Sequence, residues 1–291
     1  MTQAPPSQKL EGLPPARLTD ARMGDRYYFA NGRREKVIAV DDGLVLIRRS
    51  SRYRYSAFPD PLFPAARVER SSGISEKRVK GLEPAGSVWP LEMGNSVKFE
   101  VLTSKGGMSE GDVAQSGRYW NCSVDGMERV AIVSGEFDSY RIECIRKNRR
   151  NRIKQYTTRY FAVDIGQVVM RIDRYPDKPD RKLELLAFQP DMDMLGKRSQ
   201  RRFRKYFQKV LDSVPSGTTK SWWSRASDTR IHLTPTKSLK FESGHYCRNY
   251  LVRISHKGLL RRGAGLVCRD KAGRWRIPKS IDNREDVVFR K

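Results

Sequence analysis

Short runs of alternating apolar and polar residues dominate the chain from about residue 22 to residue 190. A period of two is typical of strands with one packed face and one solvated face. The segments that follow this pattern are 26–30, 35–40, 44–48, 96–102, 118–124, 128–133, 139–146, 153–163, 167–174 and 182–188. Tight turns are predicted between several of them, at Asn31-Gly32, Asp42-Gly43 and Asp125-Gly126. The pattern therefore predicts an antiparallel, β-rich body.

One later segment changes to a helical period. Its apolar residues fall on one face of a helix and are Phe203, Phe207, Val210, Leu211 and Val214. Ser199 is placed to cap this helix, which we expect to run to about Ser213. The apolar face is expected to pack on an adjoining sheet rather than on a membrane.

The stretch from His245 to Ile277 predicts a three-stranded meander whose first turn is Lys257-Gly258. Around a two-residue turn, cross-strand partners have residue numbers that share one sum, here 515. Cys247 and Cys268 also sum to 515 and fall on a non-hydrogen-bonded pair, where Cα atoms lie about 4.5 Å apart. We therefore expect a disulfide, provided that no bulge shifts the register. The alternative is two buried, reduced cysteines.

The other two cysteines, Cys122 and Cys144, test the arrangement of the body. If segments 118–124, 128–133 and 139–146 formed a simple meander, the two cysteines would lie two strands apart, roughly 9.5 Å, which is too far to bond. A disulfide here predicts that strand 139–146 pairs directly with strand 118–124 or faces it across a sandwich. We expect that this bond forms.

Several motifs resemble a known family. They are Trp222, Pro235, Gly244-His245-Tyr246-Cys247-Arg248-Asn249-Tyr250, Gly265-Leu266-Val267-Cys268-Arg269 and Gly273-Arg274-Trp275-Arg276. Residues 200 to 280 thereby resemble the C-terminal domain of the bacterial outer-membrane surface antigens of the rickettsial type. The resemblance implies the envelope of a Gram-negative bacterium and no established active site. More weakly, the Trp120-x-Cys122 and Gly135-x-Phe137 strands resemble uncharacterised bacterial envelope and lipoprotein β-domains.

The expected fold class is mainly β, or α+β overall. A disordered or tether segment is predicted for residues 1–21, which carry four prolines, and a β-rich body for residues 22–190, divided into possible sublobes at 22–70 and 88–190. A small domain of one helix and a β-meander follows at residues 199–280, and a tail at residues 281–291.

Composition adds a strong positive charge. Lys and Arg number 58 against 33 Asp and Glu, which gives a formal net charge of +25. Basic residues are concentrated in two clusters, and both are predicted to bind an anionic partner. The first, at the tip of a hairpin, consists of Arg146, Lys147, Arg149, Arg150, Arg152 and Lys154. The second, on the helix, consists of Arg201, Arg202, Arg204 and Lys205. This charge favours nucleic acid, anionic lipid, lipopolysaccharide, an anionic cell-wall polymer or an acidic protein as partner. The alternative is that the charge serves only to keep the protein soluble.

Two disulfides would place the protein in an oxidising compartment such as the periplasm, or at the outer membrane. The segment from Met1 to Asp20 shows no apolar signal region, so we expect either a trimmed N-terminus or, alternatively, a cytoplasmic protein with reduced cysteines. No run of eighteen apolar residues exists, and no membrane-spanning helix is expected.

No catalytic motif is present: the sequence lacks a P-loop, GxGxxG, GxSxG and HExxH. No metal site or cofactor is predicted. We expect a non-catalytic structural or interaction protein of the cell envelope that docks onto a larger assembly or an anionic surface. The alternatives are a nucleic-acid-binding protein and a peptidoglycan- or carbohydrate-binding protein.

Overall fold

A computed structural model describes residues 7–18, 20–81, 88–105, 116–282 and 286–289. Its strands are, in chain order, β1 (Ser7–Lys9), β2 (Arg26–Phe29), β3 (Arg34–Asp41), β4 (Leu44–Ser50), β5 (Tyr53–Ala57), β6 (Arg67–Arg70), β7 (Gly73–Gly81), β8 (Ser96–Lys105), β9 (Ser116–Ile132), β10 (Gly135–Asn148), β11 (Ile153–Ala162), β12 (Gln167–Tyr175), β13 (Lys178–Gln189), β14 (Lys220–Ser224), β15 (Thr229–Lys240), β16 (Tyr246–His256), β17 (Leu259–Arg269), β18 (Trp275–Arg276), β19 (Ser280–Asp282) and β20 (Asp286–Val288). Helix α1 spans Gly196–Ser213, after a short 3₁₀ turn at Asp193–Leu195, and a second 3₁₀ turn spans Arg225–Ser227. The predicted mainly β fold class is confirmed.

The chain divides into two compact units. Unit 1 comprises Met1–Met23, Glu35–Ala131 and Phe137–Leu183, and unit 2 comprises Gly24–Arg34, Ile132–Glu136 and Glu184–Lys291. Neither unit is a continuous piece of sequence.

Unit 1 is a run of antiparallel strands in which each strand from β3 to β12 pairs with the next. Strand β1 pairs with the later part of β9, and Ala16 forms a bridge with Leu91. The core of the unit is made of Ala16, Leu62, Val88, Leu91, Phe99, Val101, Trp120, Cys122, Val124, Tyr140, Ile142, Cys144 and Phe161. The stretch assigned to a tether thus contains a strand and a buried core residue.

The hairpin predicted at Asp125-Gly126 is wrong. Residues 118–124 and 128–133 belong largely to one strand, β9, because Gly126 does not adopt a positive φ angle. The absent side chain makes room for Arg141, whose Nε would lie 3.3 Å from a Cβ at this position. Arg141 Nη2 donates to the Asp125 carbonyl at 3.3 Å, and Nη1 lies 2.9 Å from Glu128.

Because β9 continues through Gly126, strand β10 pairs directly with it, which is one of the two arrangements that a disulfide required. Cys122 and Cys144 are bonded, and their Cα atoms lie 4.0 Å apart.

Unit 2 contains the predicted C-terminal meander. Strands β14 to β18 pair in order, β13 pairs with β17 through Ala187 and Phe188, and β2 pairs with the end of β13. The predicted register is confirmed from His256 opposite Leu259 to Cys247 opposite Cys268, and the disulfide is present with a Cα separation of 3.9 Å. Lys257 and Gly258, with φ of 47° and 77°, form the turn.

Helix α1 begins at Gly196, three residues before the start predicted at Ser199. Ser199 is therefore not the N-cap, and its hydroxyl contacts the Ser224 hydroxyl at 3.2 Å instead. The helix ends at Ser213 as predicted, and Phe203, Val210, Leu211 and Val214 are buried against the sheet.

Arg248, which follows Cys247 on β16, connects the sheet to helix α1. Its guanidinium is buried and donates to the carbonyls of Leu211, at 2.6 Å, and Val214, at 2.9 Å. The last carbonyls of a helix have no partner within the helix, and Arg248 provides donors to two carbonyls at the end of α1. The segment assigned to a tail includes the β19–β20 pair, and Ile281 and Val287 are buried in a second core cluster of unit 2.

Candidate functional site

Unit 2 contains a groove with a volume of about 710 Å³. One wall is α1, and the others come from β2, from residues 189–193 and from the meander. Volumes of 300–1,000 Å³ are usual for pockets that bind small molecules. The groove therefore has the size of a ligand site.

The floor of the groove is apolar and aromatic. It is lined by Tyr28, Phe203, Phe207, Tyr250, Val252, Ile254, Val267, Trp275 and Ile277. Phe207 packs edge-on against Tyr250 with a centroid distance of 5.1 Å. Gln208 fixes Trp275, because its Oε1 accepts the Trp275 backbone N–H at 2.8 Å and its Nε2 donates to the Trp275 carbonyl at 2.9 Å. Burial raises the pKa of Tyr250, so its hydroxyl stays neutral.

Cations line the rim of this groove. Arg26, Arg204 and Lys205 are exposed, and none of the three forms an ion pair with a described residue. Arg274 and Arg276 also line the groove, but both contact Asp270, at 3.2 and 2.9 Å. Arg34 lies over the Tyr28 ring at 5.4 Å. Three rim cations are thus available to an anionic group.

A buried ion pair fixes the wall beside Gly24. Arg261 Nη2 lies 2.7 Å from Asp25 Oδ2, with side-chain exposures of 5% and 0%. The other Asp25 oxygen accepts the backbone N–H of Asp191 at 2.8 Å. Asp191 lines the groove, and burial raises its pKa, with further contributions from the charges of Asp193 and Asp25. Asp191 is therefore a weaker acid than an exposed aspartate.

The structure separates the two basic maxima of the sequence. Arg204 and Lys205 line the groove, whereas Arg201 and Arg202 are exposed on α1 outside it. The hairpin-tip set belongs to unit 1: Arg149, Arg150, Arg152 and Lys154 are exposed at the β10–β11 turn, and Arg146 and Lys147 are half-buried.

Sequence reasoning missed the contribution of β2. Arg26, Tyr28 and Arg34 lie near the start of the chain and far from the meander in sequence, and only the β2–β13 and β13–β17 pairings bring them to the groove. The alternation in β2 identified a strand but not its partner. Trp275 belongs to the core and Trp222 packs against it, while Trp223 is 50% exposed beneath Arg225 and Arg230.

The described lining of the groove contains no recognised catalytic arrangement. Its lining residues include two carboxylates, Asp191 and Asp193, and no cysteine, serine or histidine. Among the described residues, no group of three metal-ligating side chains is close enough to hold an ion. An apolar floor with free cations at its rim suits a molecule that has an apolar part and an anionic part.

The fold is mainly β and contains two disulfides, and comparison with known proteins adds a family resemblance for its C-terminal region. Residues 209–276 match the family model for the 17 kDa outer membrane surface antigen. The 17 kDa surface antigens of Rickettsia felis and Rickettsia bellii are each 30% identical over 70 residues, and that of Rickettsia conorii is 29% identical. Each alignment covers 24% of this chain and 44% of the relative. The predicted resemblance of the C-terminal region is confirmed.

The match has clear limits. The chain spans under half the length of these relatives, 44%. No solved structure matches. Tyr250, Val267 and Trp275 of the groove floor lie inside the matched region, whereas Arg26, Arg204 and Lys205 of the rim lie outside it. In the described part of the chain, no helix combines the length and the hydropathy needed to cross a bilayer.

Proposed function

We propose that this chain is a non-catalytic protein of the bacterial cell envelope that docks onto an anionic lipid of the outer membrane through the groove of unit 2. The envelope assignment is supported by the match of residues 209–276 to an outer membrane surface antigen family. It is also supported by the two disulfides, which involve all four cysteines and are typical of oxidising compartments.

The observation that carries the lipid assignment is the pairing of an aromatic floor with three unpaired rim cations, Arg26, Arg204 and Lys205. Nucleic acid would need cations spaced along an extended backbone, whereas these three cations lie around the rim of a single groove. A lipid instead places an acyl chain on the floor and a phosphate at the rim. Lipopolysaccharide carries the same two features.

The test compares two double variants on one helix. Arg204→Gln with Lys205→Gln removes two charges from the groove, and Arg201→Gln with Arg202→Gln removes two charges from the exposed face beside it. Each charge near an anionic surface contributes about 1 kcal/mol, so the first variant is expected to lose roughly 30-fold in affinity for vesicles of anionic phospholipid. Affinity is measured by vesicle co-sedimentation at a fixed salt concentration.

The control variant is expected to lose less than about threefold. Equal losses in the two variants would mean that α1 binds only through diffuse charge, and this would contradict a groove site. Absence of vesicle binding by the unmodified protein would contradict the lipid assignment altogether. If DNA competes as strongly as anionic vesicles, the nucleic-acid alternative replaces it.

The envelope assignment has a separate test. Protein recovered from its native host is alkylated without reductant and weighed by intact mass spectrometry. We expect no alkylated thiol before reduction and four after it. Four alkylated thiols before reduction would place the chain in a reducing compartment.

A further inference from the structure

A second basic site lies on the inner face of unit 1, the face that carries its core. Strand register places the side chains of this face: Lys77 is opposite Thr103, Arg118 is opposite Val101, and Trp120 is opposite Phe99. On β10, Arg146 follows Cys144 on the same face, and its guanidinium lies over the Trp120 ring at 5.8 Å from the centroid. Three cations from three different strands therefore extend the apolar core at one end.

These three cations contrast with a fourth, Arg171, on the same face. Arg171 Nε contacts Asp173 Oδ1 at 2.9 Å, and the same carboxylate accepts hydrogen bonds from Gln155, at 2.8 Å, and Thr157, at 2.7 Å. Lys77, Arg118 and Arg146 have no such carboxylate among the described residues. In the described part of the chain, Arg171 thus has a carboxylate in contact, whereas Lys77, Arg118 and Arg146 have none.

This arrangement costs stability when no ligand is bound. Burial lowers the pKa of Lys77, and the charges of Arg118, Arg146, Arg70 and Arg171 lower it further. Burial also lowers the pKa of Arg146, Arg118 and Arg171 add to the effect, and the charges of Tyr175 and Asp173 offset part of it. Arg146 Nε is shielded from solvent and has no hydrogen-bond acceptor among residues 7–18, 20–81, 88–105, 116–282 and 286–289. Buried donors and like charges without partners are unfavourable, and they are commonly found where a ligand supplies what is missing.

We propose that the inner face of unit 1 binds a phosphate group between Lys77, Arg118 and Arg146. Lys77 and Arg146 are half-buried and Arg118 is exposed, so the site is open to solvent on the Arg118 side. Two guanidinium groups present pairs of N–H donors that match phosphate oxygens, and the ammonium group adds a point charge. A phosphate dianion neutralises most of the charge of the three cations, which a single carboxylate does not. This site is in a different unit from the lipid groove and does not depend on it.

Binding is tested with pyrophosphate and with inorganic phosphate by isothermal titration calorimetry, with sodium chloride adjusted to constant ionic strength. We expect saturable binding of one pyrophosphate per chain. Lys77→Met and Arg118→Gln are each expected to weaken it at least tenfold. Matched controls are Arg150→Gln and Arg152→Gln, which remove one charge each from the exposed turn of the same unit and are expected to change affinity less than twofold.

The source of the phosphate is separated by a second probe, a short-chain phosphatidic acid below its micelle concentration. Similar affinities for it and for inorganic phosphate show that the site recognises the phosphate group of a lipid as well as a free anion, and exclusion of the lipid restricts it to soluble phosphates. The Arg204→Gln, Lys205→Gln variant is expected to bind pyrophosphate like the unmodified protein. The proposal is overturned by the absence of saturable heat, or by equal losses in the inner-face and turn variants.

Thermal unfolding provides an independent readout. The charge of Lys77 is unfavourable next to the other cations. The Lys77→Met variant is therefore expected to unfold at a temperature equal to or higher than that of the unmodified protein in phosphate-free buffer. It is also expected to lose the stabilisation by pyrophosphate. A variant that is less stable and is still stabilised by pyrophosphate to the full extent would overturn the proposal.

Discussion

The two units each contain one disulfide between neighbouring strands, and the two loops are of almost equal length. The bonded cysteines are 22 residues apart in unit 1 and 21 residues apart in unit 2. In unit 2 a single tight turn fixes the register, and the partners follow by arithmetic. In unit 1 the strand before the turn is 17 residues long and contains an internal Asp-Gly step. The position of the turn cannot be read from the sequence there, so the cross-strand partners cannot be calculated from it. A disulfide between neighbouring strands can therefore be predicted when the position of the turn between those strands can be predicted.

The two units also differ in how they accommodate a buried arginine beside the disulfide. In unit 2, Arg248 donates to two carbonyls at the end of α1. In unit 1, Arg159 contacts the Cys144 sulfur at 3.0 Å and the Leu62 carbonyl at 3.4 Å, and burial lowers its pKa to about 9. Arg248 therefore has strong acceptors, whereas Arg159 has weak ones.

The largest expected effect is loss of a disulfide. Replacement of Cys122 and Cys144 by Ser, or of Cys247 and Cys268 by Ser, should each lower the free energy of unfolding by about 3 kcal/mol, because loops of this size lose similar chain entropy when closed. Urea unfolding followed by tryptophan fluorescence measures both. Clearly unequal costs, outside the error of the urea extrapolation, would show that the two crosslinks do not act alike.

The next effect separates the two arginines. Arg248→Met should cost about 2–3 kcal/mol, because it leaves the carbonyls of Leu211 and Val214 without donors. Arg159→Met should cost less than about 1 kcal/mol, because a buried ion with weak partners is replaced by an apolar side chain of similar length. The same urea experiment measures both variants, and a larger cost for Arg159→Met would reverse the comparison.

A smaller effect depends on pH. The pKa of Asp173 is lowered: burial alone would raise it, but the charge and hydrogen bond of Arg171 and the hydrogen bonds of Thr157 and Gln155 outweigh burial. The carboxylate therefore stabilises the fold fully above its unfolded pKa, about 3.9, and this contribution disappears as the pH falls through the lower folded pKa.

Asp173→Asn should accordingly cost about 1–2 kcal/mol at pH 7. The difference in stability from the unmodified protein should shrink progressively below about pH 4. Unfolding in urea at a series of pH values measures this. A difference that stays constant down to about pH 2 would mean that the charge of Asp173 is not what stabilises unit 1.

The smallest effect distinguishes two of the glycines that the sequence analysis placed in turns. Gly258 has φ of 77°, so Gly258→Ala should cost about 1 kcal/mol. Gly126→Ala should cost less than about 0.5 kcal/mol, because the strand accepts Ala and the guanidinium of Arg141 can shift by a few tenths of an ångström. Thermal unfolding resolves this difference, and a larger cost at Gly126 would show that Arg141 is held rigidly.

Much of the fold follows from local pattern, since β4, β11, β16 and β17 have the alternation and the turn residues that define them. The turn predicted at Asp125-Gly126 was wrong for a physical reason. Gly126 leaves room for the side chain of Arg141 on β10, and a contact between residues that far apart in sequence cannot be read from local pattern. The start of α1 was displaced because the turn at Asp193–Leu195 leads into the helix without a capping side chain.

The candidate sites were less accessible to sequence reasoning than the strands. Runs of basic residues identified Arg204, Lys205 and Arg146, but runs alone cannot show which cations lack a carboxylate. Lys77 and Arg118 do not belong to any run, and only the register of β7, β8 and β9 places them near Arg146.

The interleaving of the two units along the chain affects biosynthesis. The Gly24–Arg34 segment of unit 2 leaves the ribosome long before Glu184, where most of that unit begins. Asp25 can therefore form its ion pair only after Arg261, 236 residues later, has been synthesised. Domains usually fold in order from the N-terminus, but here β2 remains without its strand partner until β13 has been synthesised, and Asp25 remains without its ion pair for longer. A chaperone or export factor that holds unfolded chains would find its substrate in this interval.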